Sequence, residues 1–249
     1  MNGTIEVQNL KKHIGEKVIL GGFDLVVPSG SIVALFGPNG CGKTTFMQIL
    51  SRLVMADSGQ SIIHGFNKRK FSYISQQYRE TLLPWKTNLE NIAFPLVLAG
   101  EDQEIIKKKV SEIVELFESP IPMNGYPYQL SGGEQQILVC MRALITRPEV
   151  ICIDEAFSAL DYENGLRLRM HLQTYWMKYH PTILAITHNP EEAVHLAERI
   201  LVLSKNPMRV IASVDNTLPY PRTIDTIKSE LFHKVKDQVL SAFVRVTHV

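Results

Sequence analysis

The stretch that decides the reading of this chain is "FGPNGCGKTTF", Phe36 to Phe46. Gly37, Gly40 and Gly42 are interleaved with Pro38, Asn39 and Cys41, and Lys43, Thr44 and Thr45 follow. Gly37, Gly42, Lys43 and Thr44 fit G-x-x-x-x-G-K-[ST] between an apolar run, Ile32 to Phe36, and a helical pattern that places Phe46, Ile49, Leu50 and Leu53 on one face. Residues without a Cβ let the backbone curl so that several N–H groups converge on one anion at a helix N-terminus. The expected ligand is a nucleoside triphosphate, with Lys43 reaching the β- and γ-phosphates and the Thr44 hydroxyl on Mg²⁺.

Working outward, the run Val150 to Ile153 delivers Asp154 and Glu155 to its carboxyl end, where ligands sit in open α/β sheets. Asp154 is expected to hold the metal, and Glu155 to accept a proton from attacking water. His188 ends the run "TILAIT" in the same manner and is expected at the γ-phosphate. Taken alone, a D-E pair after a strand is as readily a common exposed loop as a site, and the phosphate loop upstream tips it toward function; a lone histidine is more often a packed or surface residue, and here its position at the same sheet edge argues for the γ-phosphate.

The apolar runs from Thr4, Phe23, Ser31, Val150, Thr182 and Arg199 alternate with helical patterns, and the later ones are nearly continuous, as in parallel strands buried on both faces. The fold expected is a layered α/β core, with the Thr4 to Val33 strands forming an antiparallel sheet against it. From about Thr87 to Met141 strand signals stop, and Ile106, Val110, Ile113, Val114 and Phe117 follow one helical face, reading as a helical insert. The division expected is residues 1–86 and 142–217 for the core, 87–141 for the insert and 218–249 for a C-terminal extension, in which Ile224, Ile227, Leu231, Val235 and Val239 form one helical stripe.

Composition sets limits. The formal net charge of +1 gives no push toward nucleic acid, and the short basic clusters at residues 67–70 and 107–109 read as solvated faces. Cys41, Cys140 and Cys152 form no C-x-x-C pair, so a reducing compartment is expected. No apolar run has bilayer-crossing length and the N-terminus lacks a secretion-signal core, so a cytoplasmic protein is expected, docking on a membrane protein being compatible with that.

With "LSGGEQQ" from Leu130 added to these motifs, the chain resembles the ATPase subunits of ABC transporters over nearly its whole length. The resemblance implies a P-loop NTPase (RecA-like) core with an antiparallel β subdomain and an inserted α-helical subdomain. It further implies two ATPase subunits, expected as a homodimer, paired head to tail, so that Leu130, Ser131, Gly132, Gly133 and Glu134 of one cap the ATP of the other while Ser158, Ala159, Leu160 and Asp161 line the seam. A glutamine that touches Mg²⁺ and the attacking water is matched to Gln76, with Gln77 open by one residue, and the adenine-stacking position to His13. "LLPWKTNLENIAFPL" from Leu82 looks like the nitrate, sulfonate, taurine and thiamine-precursor importers, placing Tyr78, Leu82, Leu83 and Trp85 on a surface that receives the membrane permease.

The implied setting is the inner face of the cell membrane, with a transmembrane permease, an extracytoplasmic solute-binding protein acting indirectly, and no nucleic acid. Ile137, Ala156 and Asn189 depart from the residues usual at their positions, as does His13. Rival readings are a soluble ABC protein acting on ribosomes or DNA, a P-loop kinase, and an exporter. The first two are disfavoured by the single ATPase half and by "LSGGE", the third by the absence of fused membrane spans.

Overall fold

The computed structural model describes residues 3–65, 70–157, 160–205 and 207–247. Strands β1 (Ile5–Ile14) and β2 (Lys17–Val27) form a long hairpin, followed by β3 (Ile32–Phe36), helix α1 (Lys43–Leu50), β4 (Ser58–Ile63) and β5 (Phe71–Ile74). Three helices come next, α2 (Asn88–Leu98), α3 (Gln103–Leu116) and α4 (Gly132–Leu144). The chain then alternates β6 (Val150–Asp154), α5 (Tyr162–Tyr179), β7 (Thr182–Thr187), α6 (Pro190–Leu196), β8 (Arg199–Leu203) and β9 (Val210–Asp215), and ends in α7 (Ile224–Ile227) and α8 (Glu230–Thr247).

Two sheets result. One is antiparallel, in the order β2-β1-β4; the other has the order β5-β6-β7-β3-β8-β9, parallel except for its last strand. Every residue of β3, β6 and β7 is buried, as a strand covered on both faces requires. Their side chains alternate between two cores. Ile32, Ala34, Ile151, Ile153, Ile183 and Ala185 pack with α2 to α8, whereas Val33, Leu35, Val150, Cys152, Leu184 and Ile186 pack with α1 and the antiparallel sheet.

Several expectations are corrected. Ile32–Phe36 does not join the antiparallel layer but lies at the centre of the parallel sheet, between β7 and β8. Helix α1 stops at Leu50 because Arg52 adopts φ 59°, which throws Leu53 off the apolar face to 66% exposure. The C-terminal stripe is two helices, and the break between them changes the phase: Phe232, Val235 and Val239 are buried, while Ile224 and Leu231 lie half in solvent. The boundary expected at residue 141 falls inside α4.

The segment after β9 is fastened to α6. Asn216 Nδ2 and Arg222 Nη1 each donate to the carbonyls of Val194 and Ala197 at 2.7 and 2.8 Å, and the Tyr220 hydroxyl donates to Leu196 O. These bonds satisfy the carbonyls a helix leaves open at its C-terminus. Among the described residues no helix is long and apolar enough to cross a membrane.

Candidate functional site

Parallel strands end together, so β3, β6 and β7 bring their following residues to one edge of the sheet. After β3 the chain turns through the glycine loop into α1. Gly42 is the N-cap at φ 115°, with the side chain of Ile19 from β2 against it. Only glycine takes both that dihedral and that approach. Lys43 is 4% exposed, and its Nζ donates to the carbonyls of Gly37 (2.9 Å) and Pro38 (3.0 Å).

Asp154, the last residue of β6, is buried and accepts from the Thr44 hydroxyl at 3.2 Å on one oxygen and from the Tyr73 hydroxyl at 2.9 Å on the other. Burial pushes its carboxyl up from the usual range, while the Tyr73 and Thr44 bonds pull the other way. This is a hard oxygen set, one carboxylate and one hydroxyl, and it suits Mg²⁺, which prefers few protein ligands and keeps waters and phosphate oxygens. Among the described residues no group of three or more His, Cys, Asp or Glu is placed to hold a metal ion.

Glu155 leaves the strand at φ 48°, a left-handed conformation uncommon outside glycine, with its N–H donating to Ile186 O at 3.1 Å. That turn sets its carboxylate between two partners. Oε1 is 3.6 Å from Lys43 Nζ, and Oε2 is 3.3 Å from His188 Nδ1, the residue after β7. Lys43, Thr44, Asp154, Glu155 and His188 therefore form one cluster.

Gln76 and Gln77 are both exposed just beyond the end of β5, on the same edge. His13 sits near the tip of the hairpin, paired with Val18 and so one residue from Ile19, which touches the phosphate loop. Its ring Nδ1 lies 2.8 Å from Asp57 Oδ2, and its backbone N–H donates to the same oxygen, which with Lys12 holds the Asp57 carboxyl down at about 2.

The second glycine motif is built differently. Ser131 caps α4, its hydroxyl and N–H donating to Glu134 Oε2 at 2.7 and 2.8 Å. A Cβ on Gly133 would lie 2.8 Å from the Asn164 side chain, and Asn164 bonds Asp161, the N-cap of α5. The "LSGGE" corner and Asp161, the residue expected at the seam, are thus in-chain neighbours. Leu160 is half-buried; Ser158 and Ala159 lie outside the described residues.

Of the residues expected on the docking surface, Trp85 is 72% exposed and Leu83 is half-buried, whereas Leu82 is not on the surface: at 7% exposure it belongs to the main core. The reason is Asn91, whose side chain bonds both the N–H and the carbonyl of Leu83 and draws the loop onto α2. The Tyr78 side chain lies outside the described residues. Sequence reasoning missed Tyr73: no motif carries it, and only the pairing of β5 with β6, which sets Tyr73 beside Cys152, brings its hydroxyl to Asp154.

The ABC transporter family model matches residues 20–158. A sulfate/thiosulfate import ATP-binding protein of Methylococcus capsulatus is 36% identical over 231 residues, 88% of this chain and 66% of its own. An aliphatic sulfonates import ATP-binding protein of Bacillus cereus is 32% identical over 250 residues, 97% of this chain and 96% of its own. A spermidine/putrescine import ATP-binding protein of Haemophilus influenzae is 35% identical over 81% of this chain and 55% of its own. This chain spans just under two thirds of the sulfate/thiosulfate relatives, at 66% and 65% of their lengths. The dimeric post-hydrolysis structure of the ATP-binding cassette MJ0796 bound to ADP and Pi is similar with a TM-score of 0.73 and 28% identity, covering 85% of this chain and 98% of that one.

Proposed function

The chain belongs to the ABC transporter family, and on that premise we propose that it binds and hydrolyses ATP to energise uptake of a small solute through a separate membrane permease. The observation that carries the reading is the convergence of Lys43, Thr44, Asp154, Glu155 and His188 on one sheet edge. The backbone of residues 37–42 and the start of α1 cradle the phosphates, Lys43 exchanging its loop carbonyls for phosphate oxygens. Thr44 and Asp154 would hold Mg²⁺, with Gln76, just beyond β5, as a further ligand; when bound, the ion would neutralise charge on the triphosphate.

Glu155 takes the proton of the attacking water, and His188 orients that carboxylate and donates to the γ-phosphate. The left-handed turn at Glu155 aims the base away from Asp154, so two adjacent acids serve separate tasks. His13 lies against the adenine, from a position beside the phosphate loop.

The cassette works as a pair with a second ATPase subunit, two copies of this chain, each lending Ser131 and Gly133 to the ATP of the other. The contiguity of the signature corner with Asp161 supports this, as does the dimeric state of the similar cassette. The subunit sits on the inner face of the membrane, its permease meeting the side that carries Trp85, with an external solute-binding protein upstream. The sulfonate relatives, which this chain matches end to end, favour a solute of the nitrate, sulfonate, taurine or thiamine-precursor kind over the longer polyamine relative.

The test is Glu155→Gln. Nucleotide affinity should hold, hydrolysis should fall by about 10²-fold or more, and Mg·ATP should trap a dimer on size-exclusion chromatography. A variant that turns over ATP at the parental rate refutes the assignment of the base.

A further inference from the structure

We propose that Arg169 and Glu192 are positioning residues for His188, fastening the loop after β7 to α5; this rests on the role given to His188 above. Thr187 and Asn189, the residues on either side of His188, are tied to one hydroxyl: Thr187 Oγ1 donates to the Glu192 carboxylate and accepts the N–H of Asn189 at 3.0 Å. Glu192, in the first turn of α6, is 7% exposed, and its other oxygen is 3.8 Å from Arg169 Nη1. Arg169 is 3% exposed, and its guanidinium lies 5.8 Å from the ring centre of Phe157, two residues beyond Glu155. The same side chain therefore touches the loop that carries the base and the anchor of the loop that carries the histidine. It sits about two turns along the helix capped by Asp161.

As a stabiliser of the fold this pair is poor. The 3.8 Å separation exceeds a direct hydrogen bond, and Arg169 Nε finds no acceptor among the described residues. Two buried charges so imperfectly matched hold a core no better than apolar residues of the same volume. What apolar residues cannot supply is a directional hold on the Thr187 hydroxyl.

His188 needs one. Its side chain is 41% exposed, so packing alone does not orient it, and a cavity of about 260 Å³ bounded by Phe157, Asp161, Arg169, His188 and Glu192 leaves room for the ring to swing. Pinning the backbone on both sides keeps Nδ1 at 3.3 Å from Glu155.

The first measurement follows the His188 ring by NMR of the intact protein labelled with ¹³C-histidine, the signal assigned by its loss in His188→Gln. Glu192→Ala and Arg169→Met should each move the His188 ring resonances, leaving those of His13 and His64 in place. Thr187→Val, which removes only the hydroxyl, should do the same and serves where a charge deletion fails to fold. An unmoved His188 signal in the folded variants overturns the proposal.

The second is a double-mutant cycle on ATP hydrolysis. Glu192→Ala should lower kcat about ten-fold with KM within about two-fold, and the loss should shrink below about two-fold in a His188→Ala background. A ten-fold loss that persists without His188 also overturns it. If the parent hydrolyses no ATP, or His188→Ala hydrolyses at the parental rate, the proposed function fails while the NMR result still decides the positioning role.

Discussion

Gly42→Ala tests the phosphate loop at its tightest point. The backbone there has φ 115°, where a side chain costs roughly 1–3 kcal/mol in strain. The new methyl would lie 2.5 Å from Ile19 Cγ2, about 1 Å inside van der Waals contact. Ile19 is 7% exposed and its carbonyl accepts the Met208 N–H at 2.9 Å, so it has little freedom to retreat, and overpacking of this kind costs about 1–3 kcal/mol more. The loop can escape only by shifting, which moves the N–H groups and Lys43 out of register.

The sum, roughly 2–6 kcal/mol, must divide between stability and affinity. At its lower end it equals about a 30-fold weaker Kd for Mg·ATP or a melting temperature lower by about 4–8 °C. Titration calorimetry and differential scanning fluorimetry read the two shares. Ile19→Ala in the same background should recover the steric part and leave the dihedral part, giving a coupling between the two sites. A Gly42→Ala protein with parental Kd and parental melting temperature refutes the close packing of this loop under the hairpin.

Two further outcomes follow from burial and charge. Burial, helped by Arg169 and Arg222, lowers the His195 imidazole to about 3, so between pH 6.5 and 3 the unfolded chain binds a proton that the folded one refuses. Stability should therefore fall on acidification through that window, by up to about 1.4 kcal/mol per pH unit, and His195→Asn should flatten the slope in urea unfolding series. In the loop before α2, Trp85→Ala should reduce co-purification with a membrane permease and spare basal ATPase, whereas Leu82→Ala should lower stability by about 2–5 kcal/mol. The reverse ranking would move the docking surface elsewhere.

The parts legible in the sequence were those in which one rule governs one segment. Fully buried strands show as unbroken apolar runs, and β3, β6 and β7 are such runs. The glycine loop is a local motif whose spacing is its geometry. Helix α5 went unread because its buried face includes Arg169, His171 and Gln173, so the apolar period is interrupted where the polar network enters the core. The apolar stripe at Leu53 failed for want of one dihedral, that of Arg52, and the stripe at Leu231 for want of the break after α7. Tyr73 could not be read at all, since its partner is 81 residues away and the contact exists only through strand pairing.

Strand order also acts as a ruler. Neighbouring strands lie about 4.8 Å apart, so the stretch from the Gln76 strand through those of Asp154 and His188 to that of Lys43 measures about 14 Å, comparable to an extended triphosphate with its ion. Ladder pairing, Ile153 with Ala185 and Asp154 with Ile186, fixes which of two consecutive acids points inward. A slip of one rung in β6 would trade the ion-binding carboxylate for the base without altering a single letter of the chain.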